Sequence, residues 1–474
     1  MAYDGQFCSQ YLALKPEEAS LFDLVRVLWS GQIERVSFLE CTEPKKLRDL
    51  GPRWLIFISV VAQRLLLSMK RPLAFMGFMM ETWLNLLSSN DGIFRLLLHA
   101  LQGKVVKPDK NSATYTSVVG NLDRRVELDR SIKKGDSRYD ASLSMMAAKL
   151  SYENEAFVQA IIRDHWKVIV DLQPKSDETF STQAIMFQDT SSDSDLIVVA
   201  FRGTDPFVAD DWCTDVDLSW YDVEGWGKVH AGFMKALGLQ KTKGWPKEIQ
   251  QGPAQRPYAY YTLREELRQI LQKNERAKFI LTGHSLGGAL AILFGAVLAL
   301  HEEAQMLERL EGVYTFGQPR VGDERFGESM KEKLEEYDVR YSRYVYCNDI
   351  VPRLPYDDKT LLYKHFGPCL YYGSCYEGKK LEEEPNKNYF SLLWLIPKNL
   401  NAVWELTRGF IIPFVKGAEY KEGWFLRLYR FIGIAIPGLP AHSPGEYVNI
   451  TRLGTDPSSL HLEKPTCRGG LKRD

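Results

Sequence analysis

The chain is 474 residues long with a formal net charge of −1, and 45% of its side chains are hydrophobic and 12% aromatic. That is ample apolar material for a large core, and near-neutrality removes the electrostatic case for a nucleic-acid partner. Seven cysteines, an odd number without metal-ligand spacing, read as reduced thiols in a cytosolic setting rather than as a disulfide framework or a metal site.

Met1 to Ser20 carries Asp4, Glu17 and Glu18 and has neither a basic n-region nor an apolar h-region. It is therefore not read as a secretory signal or a transit peptide. Residues 1–50 form a mixed, polar N-terminal segment with a basic cluster at Lys45, Lys46 and Arg48. The character changes at 51–105. Trp54 to Met69 is strongly apolar around Gln63 and Arg64, Lys70-Arg71-Pro72 interrupts, and Leu73 to Leu87 is apolar again around Glu81 and Asn85. Each arm is about 16 residues, short of the ~20 that a helix needs to cross a bilayer, and the proline predicts a bend between them. Two short apolar helices joined at a basic bend suit insertion into one leaflet or into a phospholipid monolayer, with Arg53, Lys70, Arg71 and Arg95 near the head groups. A helical subdomain packed on the rest of the fold satisfies the same pattern.

Residues 106–137 are charged and turn-rich, as expected of a linker or exposed loop, and a larger domain is expected from 138 to 474. In Tyr139 to Leu150 the apolar positions Leu143, Met146, Ala147 and Leu150 predict an amphipathic helix. Strands are predicted at Trp166–Leu172, Gln183–Gln188 and, most strongly, Leu196–Phe201, which runs into Arg202-Gly203-Thr204. Thr262 to Gln272 places Leu263, Leu267, Ile270 and Leu271 on one helical face.

The run Phe279 to Thr282 then leads into Gly283-His284-Ser285-Leu286-Gly287, and a second apolar run extends from Ala289 to Leu300. This reads as strand, sharp turn and helix with Ser285 at the apex, and Gly283 and Gly287 are the positions where a side chain would obstruct the crossing. It is the way an α/β-hydrolase exposes a nucleophile. Further strands at Val313–Phe316 and Tyr344–Cys347 complete a pattern of alternating strands and helices, hence an α/β fold with a mostly parallel central sheet.

A serine hydroxyl needs a base to take its proton and an acid to orient that base, and in this fold the order is Ser, Asp or Glu, then His. Asp349 closes a predicted strand and is the acid; Asp357 and Asp358 lie beyond Pro355 in a charged loop. Of the histidines after Asp349, His461 sits in a polar tail, His365 is the alternative base, and His442 lies in the rigid loop Pro437 to Pro444. His442 is assigned as the base, and His284 is expected to point into the fold. The Leu286 amide and Thr204, through amide and hydroxyl, are the expected oxyanion donors.

Five ordered motifs carry a family likeness: Phe201-Arg202-Gly203-Thr204, Val229-His230-Ala231-Gly232-Phe233, Gly283 to Gly288, Phe316-Gly317-Gln318-Pro319-Arg320-Val321-Gly322, and Asn348-Asp349-Ile350-Val351-Pro352. In these the chain resembles the fungal-type class 3 triacylglycerol lipases. With its hydrophobic N-terminal region and Tyr363 to Pro368, it looks more narrowly like plant oil-body lipases. The resemblance implies hydrolysis of tri-, di- and monoacylglycerols at the cytosolic face of a lipid droplet, through an acyl-enzyme and without metal or organic cofactor. It also implies a lid from Asp205 to about Trp212, including Phe207 and Val208. The chain departs from the family in an aromatic-rich insertion at about 389–437, readable as an acyl-binding cap, a second lipid-facing surface or ordinary buried helices. A phospholipase A1 or galactolipase is the rival within the class; a non-catalytic lipase-like scaffold or a droplet coat protein is the rival outside it.

Overall fold

The computed structural model describes residues 8–29, 36–41, 53–166, 175–176, 183–189, 195–239, 259–355, 363–385 and 389–462. Its strands are β1 (Cys8–Leu14), β2 (Leu39–Cys41), β3 (Lys175–Ser176), β4 (Gln183–Asp189), β5 (Leu196–Phe201), β6 (Trp220–Val223), β7 (Gly227–His230), β8 (Lys278–His284), β9 (Leu310–Phe316), β10 (Arg340–Tyr346), β11 (Cys369–Tyr372) and β12 (Gly378–Leu381). Eight of them form the main sheet in the order β12-β11-β10-β9-β8-β5-β4-β3. Its middle, β5 through β11, is parallel, and antiparallel pairs close both edges.

The sheet is buried on both faces because its strands alternate between two cores. Ile197, Val199, Phe201, Phe279 and Leu281 meet the helix Leu286–Leu300 on one side, whereas Val198, Ala200 and Ile280 meet the helix Tyr139–Leu150 on the other. The expected strand at Trp166–Leu172 lies outside the described residues apart from Trp166, as do Lys45, Lys46, Arg48, Asp357 and Asp358.

Three expectations change. Tyr139–Leu150 forms the predicted helix but is not amphipathic: Ala141 through Leu150 are all buried. The helix Pro444–Leu453 and the 106–137 segment cover its second face, and Lys149 is neutralised there by Asp123 at 3.4 Å. Within the segment read as a linker, Val118–Leu122 is a short helix capped by Ser117, whose hydroxyl accepts from the Gly120 amide. The N-terminal segment supplies β1 and β2 to a second, antiparallel sheet ordered β2-β1-β6-β7.

The two apolar arms are helices, Arg53–Ser68 and Lys70–Ser89, followed by Ile93–Leu101. No helix among the described residues is long and apolar enough to cross a membrane. Ile56, Ser59, Val60 and Gln63 turn inward against the helix Ala209–Val216, and the Ser59 hydroxyl donates to the Val216 carbonyl at 2.7 Å. The outer faces carry exposed Trp54, Leu65, Phe75, Met79, Phe94 and Leu101. Packing and an exposed apolar surface thus coexist on the same helices. Lys70 pairs with Asp210 and Arg95 with Asp91, so these two cations have protein partners.

Candidate active site

The site forms where β5, β8, β9 and β10 end. Ser285 sits between β8 and the helix Leu286–Leu300 with φ 59° and ψ −132°, a left-handed conformation that a non-glycine residue holds only under surrounding constraint. The constraint is visible on both sides. A Cβ on Gly283 would overlap the Gly287 backbone, and one on Gly287 would overlap the Phe201 carbonyl. The Ser285 amide donates to the Phe316 carbonyl at 2.8 Å, which ties the turn to β9. Leu286, as the first residue of its helix, has an amide with no acceptor inside the helix.

The turn after β5 runs directly beside the serine: a Cβ on Gly203 would lie 3.0 Å from that of Ser285. Thr204 follows, nearly buried, and its hydroxyl donates to Asp215 Oδ2 at 2.7 Å. The hydroxyl therefore has a partner of its own, which leaves the Thr204 amide as the donor available from this turn. Burial pushes the Asp215 carboxyl up to about 7, while the Thr204 hydrogen bond opposes that rise.

Asp349 is fully buried, and its carboxylate is held at both oxygens. Oδ1 accepts from the Val351 amide at 2.9 Å; Oδ2 accepts from His442 Nδ1 at 2.8 Å and from the Tyr447 hydroxyl. That bond assigns the proton of His442 to Nδ1 and leaves Nε2 with a free lone pair; Nε2 is buried without a hydrogen-bond partner. The loop expected around His442 is a turn of 3₁₀ helix, Pro440–His442, leading into the helix Pro444–Leu453 that carries Tyr447.

His284 acts as a buttress. Its ring stacks on that of His442 with centroids 4.5 Å apart. Its Nε2 donates to the His442 carbonyl at 2.9 Å, and its Nδ1 accepts from the Tyr152 hydroxyl at 2.9 Å. Burial and the neighbouring His442 hold its pKa well below the ordinary imidazole value, so it stays neutral in that tautomer. His365 is elsewhere: its Nε2 donates to the Pro352 carbonyl at 2.7 Å, and burial together with Arg343 lowers its pKa to about 3.

Phe207, Val208 and Trp212 precede or begin the helix Ala209–Val216. Phe207 lies against Gly77, where a Cβ would come within 2.5 Å of its own, and the Trp212 indole donates to the Pro206 carbonyl at 3.0 Å. The segment thus bridges the Thr204 turn and the apolar N-terminal helices. Tyr447, Tyr152 and Asp215 went unnoticed in the sequence. Only Asp215 had a signal, as one of the aspartates clustered just after the Thr204 turn.

Residues 198–359 match the class 3 lipase family. The chain is 41% identical to triacylglycerol lipase OBL1 of Arabidopsis thaliana, over 94% of this chain and 95% of that protein. It is 39% identical to triacylglycerol lipase OBL1 of Nicotiana tabacum, over the same shares of each. Among solved structures, that of the Rhizomucor miehei triacylglyceride lipase aligns at 28% identity and a TM-score of 0.32, covering 42% of this chain and 65% of that one.

Proposed function

The chain belongs to the class 3 lipase family, and on that premise we propose that it hydrolyses triacylglycerol, with di- and monoacylglycerol as further substrates, at the surface of a lipid droplet. The observation that carries the catalytic reading is the open Nε2 of His442, oriented by Asp349 on a ring stacked on His284, the residue before the strained Ser285. In this reading His442 Nε2 takes the hydroxyl proton as Ser285 Oγ bonds to the acyl carbon. The Leu286 and Thr204 amides stabilise the resulting oxyanion, each donor contributing about 100- to 1,000-fold in rate. The intermediate collapses as the glycerol oxygen leaves with the proton from His442. Water, deprotonated by the same nitrogen, then attacks the acyl-enzyme and releases the fatty acid. No metal or organic cofactor enters this scheme. Asp349 keeps the imidazole in this orientation and stabilises the imidazolium that forms.

A water-insoluble substrate requires contact with its phase. The exposed apolar faces of the helices between Arg53 and Leu101 support a lipid surface as the partner, on the cytosolic side of a phospholipid monolayer. The Asp205–Trp212 segment, wedged between those helices and the Thr204 turn, is the proposed lid. Hydrolysis of emulsified triolein by the purified chain, with a Ser285→Ala control, tests the reading. Retained activity in the control would reject it, and faster release from phosphatidylcholine or a galactolipid than from triolein would favour the rival substrates.

A further inference from the structure

The insertion at 389–437 folds into two packed helices, Leu395–Lys416 and Trp424–Ala435, whose polarity is inside out. Lys398, Glu405, Arg408 and Arg430 on these helices, and Glu422 in the turn between them, are buried. Arg408 bridges Glu405 at 2.7 Å and Glu446 at 2.9 Å; Arg430 bridges Glu422 at 2.5 Å, Glu405 at 3.4 Å and also Glu446. Close packing is permitted by Gly409, which lies against Glu422, and by Gly433, which lies against Pro440.

The outward stripe is correspondingly apolar. On the first helix Ile396, Leu400, Val403, Phe410 and Phe414 follow helical spacing, and Phe414 is 91% exposed. On the second, Trp424, Leu428, Phe431 and Ile432 are likewise exposed. Burying five charges while exposing such a stripe runs against stability in water, because a buried ion network gains little over apolar packing. It is the arrangement expected where the outer surroundings are hydrocarbon.

We propose that this hairpin is a lipid-docking arm whose outer face enters the phospholipid monolayer of the substrate phase; the proposal rests on the lipase reading for the identity of that phase. Three observations favour lipid over protein. The stripe offers almost no hydrogen-bonding groups, whereas protein interfaces carry about one hydrogen bond per 100–200 Å². The exposed charges gather at the connecting turn as Lys416 and Lys421 against Glu419, a basic balance suited to phosphate head groups. Finally, Trp424–Ala435 packs on Val118–Leu122, which packs on Lys70–Ser89, so one short helix joins the arm to the apolar N-terminal helices. It also packs on the Pro440–His442 turn. The N-terminal helices pack on Ala209–Val216 and the arm on the His442 turn, so each touches an element beside the site.

The test uses the full chain with Ile396→Glu, Phe414→Glu and Phe431→Glu, all outside the site. Droplets of triolein coated with phosphatidylcholine and phosphatidylserine are floated with the protein in a Ser285→Ala background, so that binding is read without turnover. Partitioning onto droplets is expected to fall at least about 100-fold. With Ser285 restored, triolein hydrolysis falls in proportion while p-nitrophenyl butyrate hydrolysis stays within about twofold. Undiminished droplet binding by a variant that keeps its soluble-ester rate overturns the proposal. So does loss of self-association, by light scattering, with droplet binding intact, which would assign the face to a second copy. If the charges unfold the chain, Trp404→Phe with Trp424→Phe decides: the emission quenched by brominated lipid falls if the face enters the acyl region, and an unchanged quenched fraction overturns the proposal. A parent chain that binds droplets but releases no fatty acid would sink the lipase reading and leave the docking result standing.

Discussion

Gly317 is the sharpest test of how the site is held. It follows β9 with φ 61°, and a Cβ there would lie 2.9 Å from Asp349 Oδ2, from His442 Cε1 and from the Tyr447 hydroxyl. Gly317→Ala therefore imposes two costs. The left-handed backbone is worth roughly 1–2 kcal/mol against a side chain, and overpacking adds about 1–3 kcal/mol. Ordinary contacts at ~3.5 Å would require three groups to retreat by about half an ångström each. Two of them are the acid–base pair and the third is the hydroxyl that holds its carboxylate, and a 1 Å misplacement costs about 100-fold, so kcat is expected to fall some 10- to 100-fold with KM little changed. The assay is p-nitrophenyl butyrate hydrolysis beside a thermal melt. Gly295→Ala is the comparator: its Cβ would meet Leu281 Cδ1 at 3.6 Å, an ordinary contact, in a helix where alanine gains up to ~1 kcal/mol over glycine. If Gly317→Ala turned over as fast as Gly295→Ala, the claim that this glycine makes room for the acid–base pair would be refuted.

Further outcomes follow from the same geometry. Asp349→Asn is expected to lower the soluble-ester rate about 10⁴-fold, because His442 loses the acceptor that sets its tautomer, whereas His365→Gln leaves the rate within about threefold. Thr204→Val keeps the backbone amide and removes the hydroxyl that meets Asp215. Its effect should stay below the 100-fold typical of a lost oxyanion donor, and a larger loss would assign the hydroxyl a direct role. Asp215 is pushed up from 3.8 to about 7, so the folded state favours its protonated form. That stabilisation is complete below about pH 4 and is lost as pH rises through about 7. Asp215→Asn should therefore flatten the fall in melting temperature between pH 5 and 8; an unchanged slope would place the titration elsewhere. Arg430→Met strands Glu422 in the interior and leaves Glu405 and Glu446 sharing Arg408, and should cost about 3–5 kcal/mol, read as a lowered urea midpoint.

What was legible in the sequence was local. The strand, serine turn and helix around Ser285 are contiguous, so spacing alone reveals them, and Asp349 announces itself by closing a strand. His442 was reached by chain order and elimination. Groups that meet across the fold left no trace: Tyr447 is 98 residues from the carboxylate it serves, and Tyr152 is 132 from His284. The helix Tyr139–Leu150 misled for the same reason, since the elements covering its polar side lie outside any local window. The hairpin was illegible in another way. Its composition shows both charges and large apolar residues, but which set faces inward depends on Glu446, contributed by a helix beyond the insertion.

The second sheet changes how the apolar N-terminal helices are attached. β1, near the start of the chain, pairs with β6, some two hundred residues later, and Leu14 donates its amide to the Ser219 hydroxyl. Residues 53–101 are therefore a loop anchored at both ends, by β1 and β2 before it and by Val118–Leu122 after it. A truncation that discards everything before residue 102 would remove strands along with the helices and would confound lost attachment with lost folding. An internal excision bridged by a short linker would leave both anchors in place. Such a loop, fastened at two points, can transmit a force applied to the exposed apolar faces into the sheet beside Ser219 while β1 stays paired with β6.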